Sequence, residues 1–212
     1  MAGAKRMRLP ARARERRSHA ERTAETRAKI IAAVVEGISE VGFARTTAAE
    51  ITRRAGVTWG AVQHHFGDKD GILVAVLEDS FDRFSARLDE IPSEDASLEK
   101  RASLFIDRAW EHVGSPLYRS TFEILLDQAG REELTDEPSW QQRLFLAWDR
   151  IWMRVFGDAA ISRRRHFVLQ HYSISVLSGL ASVLMLESAD SRLRGTELDL
   201  LKDTLTRELS RS

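Results

Sequence analysis

Apolar residues recur at intervals of three and four along almost the whole chain, and this spacing limits the fold more than any other feature. Ile31, Val34 and Ile38, for example, share one face of a first helix predicted from about Ala24 to Val41. Side chains three and four apart lie on one face of an α-helix, whereas a strand alternates apolar and polar residues. Because such alternation is nearly absent, the sequence predicts an all-α protein.

Capping residues divide the next part of the chain into short helices. Thr47 and Glu50 form a T-x-x-E capping box, which predicts a short helix ending at Gly56. Thr58 can cap a third helix that reaches about Phe66. A three-residue turn with a central glycine separates the two short helices. That arrangement is typical of a helix-turn-helix, because glycine tolerates the positive φ that redirects the chain.

Longer amphipathic helices follow and predict an antiparallel helical bundle behind the three short ones. Further apolar stripes begin near Leu98, Pro116, Trp140 and Leu198. The segment 166–186 contains no Asp, Glu, Lys or Arg, but polar residues interrupt it. A bilayer span needs about 20 predominantly apolar residues. We therefore interpret this segment as a helix buried on most sides, with no membrane partner.

The chain has no net charge, but its charges are unevenly distributed. Residues 1–70 contain fourteen Lys and Arg and eight Asp and Glu, a balance of +6, whereas residues 71–212 contain eighteen and twenty-four, a balance of −6. A basic front end suggests contact with a polyanion. The chain has no cysteine, which excludes disulfides and thiolate metal sites and fits a cytoplasmic location.

The outward positions of the third helix are candidates for reading DNA. If its apolar residues are buried, Trp59, Ala61, Gln63 and His64 are left outward. In a major groove the amide of Gln63 can bond to an adenine edge, and Ala61 can touch a thymine methyl. The neighbouring His64 and His65 point about 100° apart on a helix and do not form a metal-binding pair. We expect no metal and no cofactor.

The segment TTAAEITRRAGVTWGAVQHHFGDKDGIL resembles the DNA-binding signature of the TetR family of transcriptional regulators. The shared pattern is an A-G-V-[ST] turn, then G-x-[LV], then H-F-x-x-K-[DE]-x-[LIV], and the resemblance covers about residues 24–75. Two positions depart from the family pattern. Gln63 stands where tyrosine is usual, and Trp59 stands where lysine or another polar residue is common. Gln63 can still donate to a phosphate or read a base.

The resemblance implies three segments: a basic flexible arm at 1–22, a helix-turn-helix domain at 23–70, and a ligand-sensing and dimerisation domain at 71–212. It also implies a homodimer on a near-palindromic operator in double-stranded DNA. The candidate DNA contacts are Arg22, Arg27, Thr46, Thr47, Thr58, Trp59, Ala61, Gln63, His64 and Lys69.

Two interpretations stay open for the aromatic residues of the larger part. They form the core, or some surround a cavity for an apolar or aromatic ligand. The candidate pocket residues are Trp110, Phe122, Gln128, Trp148, Trp152, His171 and Tyr172. The last two helices are the candidate dimer interface, with Phe167, Ser175, Ser178, Ser182, Leu198, Leu201 and Leu205.

These features predict a cytoplasmic DNA-binding regulator, a repressor that an unknown small molecule releases from its operator. Such a ligand must bind the two conformations of the protein with different affinity, since a ligand without preference shifts nothing. The alternative is an architectural DNA-binding protein that responds to no ligand. An enzyme is not expected, because we find no nucleophile–base pair, phosphate-binding glycine loop or metal-ligand spacing.

Overall fold

A computed structural model describes residues 19–92, 96–128, 140–186 and 194–211, and these residues form helices and no strand. The all-α prediction is confirmed. The first elements are α1 (His19–Val41), a 3₁₀ turn (Phe43–Arg45), α2 (Ala48–Ala55) and α3 (Trp59–Phe66). Longer helices follow: α4 (Lys69–Asp89), α5 (Leu98–Val113), α6 (Pro116–Gln128), α7 (Trp140–Phe156), α8 (Arg163–Leu186) and α9 (Arg194–Leu209).

A first core holds the N-terminal helices together. Its buried members are Ile30, Val34, Ile38, Ile51, Val62, Ile72, Leu73, Val76, Leu77 and Ile124. Most come from α1 to α4, but Ile124 belongs to α6 and has no exposed surface. The N-terminal packing unit is therefore completed by a residue far along the chain. It also extends beyond the predicted boundary at residue 70, because it includes the first half of α4.

A second core fills the larger part of the molecule. Phe84 and Leu88 carry the second half of α4 into it, so α4 belongs to both cores. On α9, Leu198, Leu201 and Leu205 also lie in this core, with exposed fractions of 8%, 2% and 0%. These leucines were predicted at the dimer interface, and that assignment is wrong. The apolar stripe of α9 is already covered within the chain, where α9 packs against α5.

The C-terminal end of α4 is fastened to α7 by one arginine. The guanidinium of Arg154 donates to the carbonyl oxygens of Leu88 and Ile91, the latter at 3.0 Å. Leu88 belongs to the last turn of α4, whose carbonyls have no partner within the helix, and Ile91 follows just after the helix end. Arg154 therefore ties the end of α4 to α7.

Helix α8 is the one helix in the described ranges that is long and apolar enough to cross a membrane by length and composition. The sequence suggested a helix buried on most sides, but only one face of α8 is buried. One face, with residues such as Leu169, Ser173 and Leu177, packs inward, while Val168 and Val183 are exposed. The sequence pattern does not distinguish the buried face of α8 from the exposed one, because both carry apolar residues.

Candidate nucleic-acid interface and ligand cavity

The two helices of the helix-turn-helix begin at the predicted caps. Thr47 Oγ1 accepts a bond from the backbone N–H of Glu50 at 3.3 Å, and Thr58 Oγ1 accepts one from Ala61 at 3.2 Å. Gly56 ends α2 in the left-handed region with φ 65°, which glycine adopts at no steric cost. The turn between α2 and α3 is therefore fixed by local chemistry.

The capping box of α2 is only half formed, because Glu50 is committed to two arginines. Its carboxylate accepts bonds from Arg53 and Arg54 at 2.6 and 2.5 Å. These bonds favour the ionised form and lower the pKa of Glu50 to about 2. Arg54 also pairs with Glu40 of α1 at 2.7 Å. The ion pairs link α2 to α1.

On α3, the residue between two candidate contacts anchors the helix. Val62 is fully buried in the first core, while Gln63 and His64 are exposed and Ala61 is half-buried. The exposed side of α3 therefore presents the amide and the imidazole that a groove-reading helix uses.

Trp59 was predicted to point outward, and the structure contradicts this. It is half-buried and packs against the first core. The reason lies in the helical spacing, because residues 62 and 66 follow residue 59 by three and seven positions and share one face of α3 with it. Trp59 therefore lies beside Val62 and Phe66 and contributes to the packing of α3.

Thr46 is the second candidate contact that the structure corrects. Its side chain is 2% exposed, and its hydroxyl donates to the carbonyl oxygen of Gly42 at 3.0 Å. A Cβ at Gly37 would lie 2.9 Å from the Thr46 methyl carbon, so a glycine is needed there. Thr47, the next residue, is exposed and keeps its candidate role.

Three basic residues near α3 have different surroundings. Arg22 is exposed on α1, which begins at His19, three residues before the predicted end of the arm. Residues 1–18 of that arm lie outside the described residues. Arg27 donates to the carbonyl oxygen of His65 at 2.7 Å and lies 4.3 Å from the centre of the Phe66 ring. Arg27 therefore joins α1 to the end of α3.

Lys69 occupies the first position of α4, and its ammonium nitrogen lies 5.1 Å from the centre of the Phe43 ring. Asp68, just before it, caps the helix by accepting a bond from Gly71 N–H at 2.8 Å. Positive charge and free N–H groups at a helix start attract phosphate. The cation–π contact with Phe43 holds the lysine near the start of α4.

A cavity of about 660 Å³ lies in the larger part of the molecule, between α4, α5, α6, α7 and α8. This volume falls within the range of small-molecule sites, about 300–1,000 Å³. Its aromatic lining consists of Phe81, Phe84, Tyr118, Phe122, Phe145 and Trp148.

Two of the seven predicted pocket residues, Phe122 and Trp148, line this cavity. Trp152 is fully buried in the second core and Gln128 is buried beside Asp127. The others that do not line the cavity are Trp110, His171 and Tyr172. Trp148 and Trp152 are one helical turn apart on α7, and their difference shows that position along the helix decides which ring reaches the cavity.

Three buried polar residues line the cavity and were not singled out from the sequence: Ser80, His112 and Thr121. Ser80 lies on the buried face of α4, between Val76 and Phe84. A polar residue inside an apolar stripe was the available signal, since buried polar groups require hydrogen-bond partners. Burial, with a smaller effect of the Arg87 charge, lowers the pKa of His112 to about 4.

The four residues of α8 that were predicted at a dimer interface differ in exposure. Phe167 and Ser175 are exposed, and Ser182 is half-buried. Ser178 instead lines the cavity, with its hydroxyl 3.5 Å from that of Tyr118. That residue is therefore turned toward the inside of the chain.

Comparison with known proteins matches residues 30–76 to the family described as bacterial regulatory proteins, tetR family. The chain is 31% identical over 122 residues to an HTH-type transcriptional regulator of Mycobacterium bovis, an alignment that spans 56% of this chain and 63% of that regulator. It is 40% identical over 181 residues to the HTH-type transcriptional regulator BetI of Escherichia coli O45:K1, covering 68% of this chain and 93% of BetI.

The fold is shared with FadR of Bacillus subtilis, solved in complex with stearoyl-CoA, at a TM-score of 0.60 and 16% identity over 86% of this chain and 97% of FadR. An exposed helix-turn-helix joined to a helical bundle defines a DNA-binding transcriptional regulator. With the family match and the coverage of BetI, the chain belongs to the tetR family of bacterial regulatory proteins.

Proposed function

We propose that the protein is a cytoplasmic repressor that binds a near-palindromic operator as a homodimer and releases it when a small apolar or aromatic molecule enters the cavity. The observation that carries this proposal is the position of α4. Its first half packs with the recognition helix α3 in the first core, and its second half lines the cavity with Ser80, Phe81 and Phe84. A ligand that displaces α4 therefore changes the position of α3.

Helix α6 provides a second connection between the same two places. Thr121 and Phe122 line the cavity. The residues on either side of them hold the N-terminal helices: Ser120 Oγ donates to the Val35 carbonyl oxygen at 3.2 Å, and the Glu123 carboxylate accepts from the backbone N–H of Phe43 at 3.1 Å. One helix thus contacts both the ligand site and the DNA-binding unit.

The coupling requires that the ligand bind one conformation better than the other. Arg154 fixes the C-terminal end of α4, so a ligand-driven displacement is largest toward Lys69. In a dimer, such a displacement changes the spacing of two recognition helices, which must match half-sites about 34–36 Å apart or a multiple of that distance. The cavity favours this ligand-controlled function over the architectural alternative.

The exposed face of α8 supports the homodimer. Val168, Tyr172, Ser175, Gly179 and Val183 follow the i, i+4, i+7, i+11 and i+15 spacing of one face, and all are exposed. Exposed apolar residues that follow one another along a helix face typically mark a protein interface. The small residues on it let two helices approach closely.

Val183→Asp on α8 tests the dimer. We expect this variant to remain folded and to sediment as a monomer, because the charge lies on an exposed face. Leu205→Asp is the contrast, since it places a charge in the second core and should unfold the chain. A Val183→Asp protein that sediments as a dimer would contradict the assignment of this face.

The function itself is tested with DNA. Selection from random-sequence duplexes should recover a near-palindromic site, and fluorescence anisotropy should then give its affinity. Small apolar and aromatic compounds are added to the complex, and at least one should release the DNA. A protein that selects no sequence, or a complex that no cavity-binding compound weakens, would contradict the proposal.

A further inference from the structure

Ser80, His112 and Thr121 form a hydrogen-bonded group on the cavity wall, here called the polar cluster. Ser80 Oγ lies 3.3 Å from His112 Nε2 and 3.2 Å from Thr121 Oγ1. Thr121 Oγ1 also lies 3.1 Å from the carbonyl oxygen of Leu117, and its single proton can serve only one of these acceptors. Because a hydroxyl rotates, donates and accepts, the polar cluster can offer either a donor or an acceptor to a molecule in the cavity.

The polar cluster is uncharged near neutral pH. Its two hydroxyls do not ionise there, and burial holds the pKa of His112 near 4. Tyr118 and Ser178, both half-buried, form a second polar contact on the wall, and burial raises the pKa of the Tyr118 hydroxyl. The buried and half-buried residues that the structure places on this wall are therefore all neutral.

The charged side chains that line the cavity are exposed: Glu78, Asp82, Arg143 and Arg150. Glu78 and Arg143 form a pair at 2.8 Å in which both side chains are about half exposed, 52% and 51%. These groups lie at the solvent side and are screened by water. An ion placed against the polar cluster would lose its hydration without gaining an opposite charge, which is costly.

From this arrangement we propose that the cavity selects a neutral aromatic molecule with a hydroxyl or carbonyl group, and that the polar cluster recognises this group while the aromatic side chains hold the ring. The inference rests on the proposed ligand-sensing function and names its ligand class. Aromatic rings also attract cations, so a cationic ligand is the competitor that the experiment must exclude.

Four probes with the same ring system separate these possibilities: 2-naphthol, naphthalene, 2-naphthoate and 2-naphthylmethylammonium. Each is measured against the full chain without DNA by equilibrium dialysis at pH 7.5. We expect 2-naphthol to bind about threefold to tenfold more tightly than naphthalene, the usual effect of one hydrogen bond. Both ions should bind more weakly than 2-naphthol. Tightest binding by an ion, or equal binding of 2-naphthol and naphthalene, would overturn the inference.

Two variants locate the recognition. Ser80→Ala and Thr121→Val should each reduce the advantage of 2-naphthol over naphthalene, with circular dichroism confirming that the chain is folded. Ser85→Ala is the matched control: Ser85 lies on the same helix as Ser80, does not line the cavity, and its buried hydroxyl has no hydrogen-bond partner among the described residues. It should leave the advantage unchanged.

The outcomes also separate the inference from the proposed function. An advantage that persists in both folded cluster variants would refute the role of the polar cluster and leave the ligand-sensing function standing. Failure of all four probes to bind the wild-type chain would contradict both.

Discussion

The buried imidazole of His112 makes the stability of the protein depend on pH in a calculable way. Burial, followed by the charge of Arg87, lowers its pKa from 6.5 to about 4 in the folded chain. Between these values the unfolded chain binds a proton that the folded chain does not, so the free energy of unfolding falls as the pH falls. The stabilisation is fully present above pH 6.5, the ordinary pKa of histidine in the unfolded chain, and is lost as the pH falls to about 4.

The size of this effect follows from the same two values. One pH unit corresponds to about 1.4 kcal/mol per proton, so lowering the pH from 7.5 to 5.0 should cost the wild-type chain about 2 kcal/mol through His112. At pH 5.0 Glu50 is still mostly ionised in both states, because its pKa is about 2 when folded and 4.5 otherwise. His65 and His166, whose pKa values burial also lowers, add loss of the same sign.

The variant His112→Gln isolates the contribution. Urea denaturation at pH 7.5, 6.5, 5.5 and 5.0, at one fixed protein concentration, gives the free energy of unfolding of both chains. The variant should lose about 2 kcal/mol less than the wild type across this range. Equal losses in the two chains would mean that His112 takes up its proton at the same pH in the folded and the unfolded chain, and the lowering of its pKa by burial would then be refuted.

Three further substitutions test the DNA-binding part. Gln63→Ala should relax base preference at one operator position, measured by anisotropy with single-base operator variants, and an unchanged preference would remove Gln63 from the contacts. Lys69→Ala should weaken binding to all sequences and reduce the slope of log affinity against log salt by about one; an unchanged slope would exclude a phosphate contact. Gly56→Ala should lower the free energy of unfolding by about 1–2 kcal/mol, because the φ of 65° is unfavourable for alanine while its Cβ meets no atom within 4 Å. A loss near zero in urea denaturation would contradict that reasoning.

Features that depend on a few neighbouring residues could be predicted from the sequence. The starts of α2, α3 and α4 follow from Thr47, Thr58 and Asp68, because each cap bonds an N–H group three residues away. The turn at Gly56 follows from its freedom at positive φ. These signals are local, so no knowledge of the remaining chain is needed to read them.

The sequence predicts which residues form an apolar face of a helix. It does not predict whether that face is covered by the same chain or left exposed. Leu205 on α9 and Val183 on α8 both lie on apolar faces, yet Leu205 is buried and Val183 is exposed. Thr46 and Thr47 are neighbours in sequence with opposite exposure, since the fate of Thr46 depends on Gly37 of α1. Such differences arise from packing between helices, which periodicity does not describe.

The polar cluster was beyond sequence reasoning for the same reason. Ser80 and Thr121 are separated by 41 residues, and His112 lies 32 residues from Ser80. Ser80 alone can be noticed as a polar residue within an apolar stripe, but nothing in the sequence pairs it with His112 or Thr121. Only the arrangement of α4, α5 and α6 makes them one group.

Because Ile124 of α6 belongs to the first core, the N-terminal helices of this protein cannot be joined to another helical bundle without loss. A hybrid in which residues up to the start of α4 are grafted onto a different bundle would replace this side chain with whatever the new bundle carries. Loss of a buried isoleucine costs about 2–5 kcal/mol, and Glu123, which accepts from the backbone of Phe43, would be exchanged with it. A hybrid that is meant to keep the DNA specificity should therefore include α6 together with helices α1 to α3. Otherwise the recipient bundle must carry the residues of α6 that contact these helices.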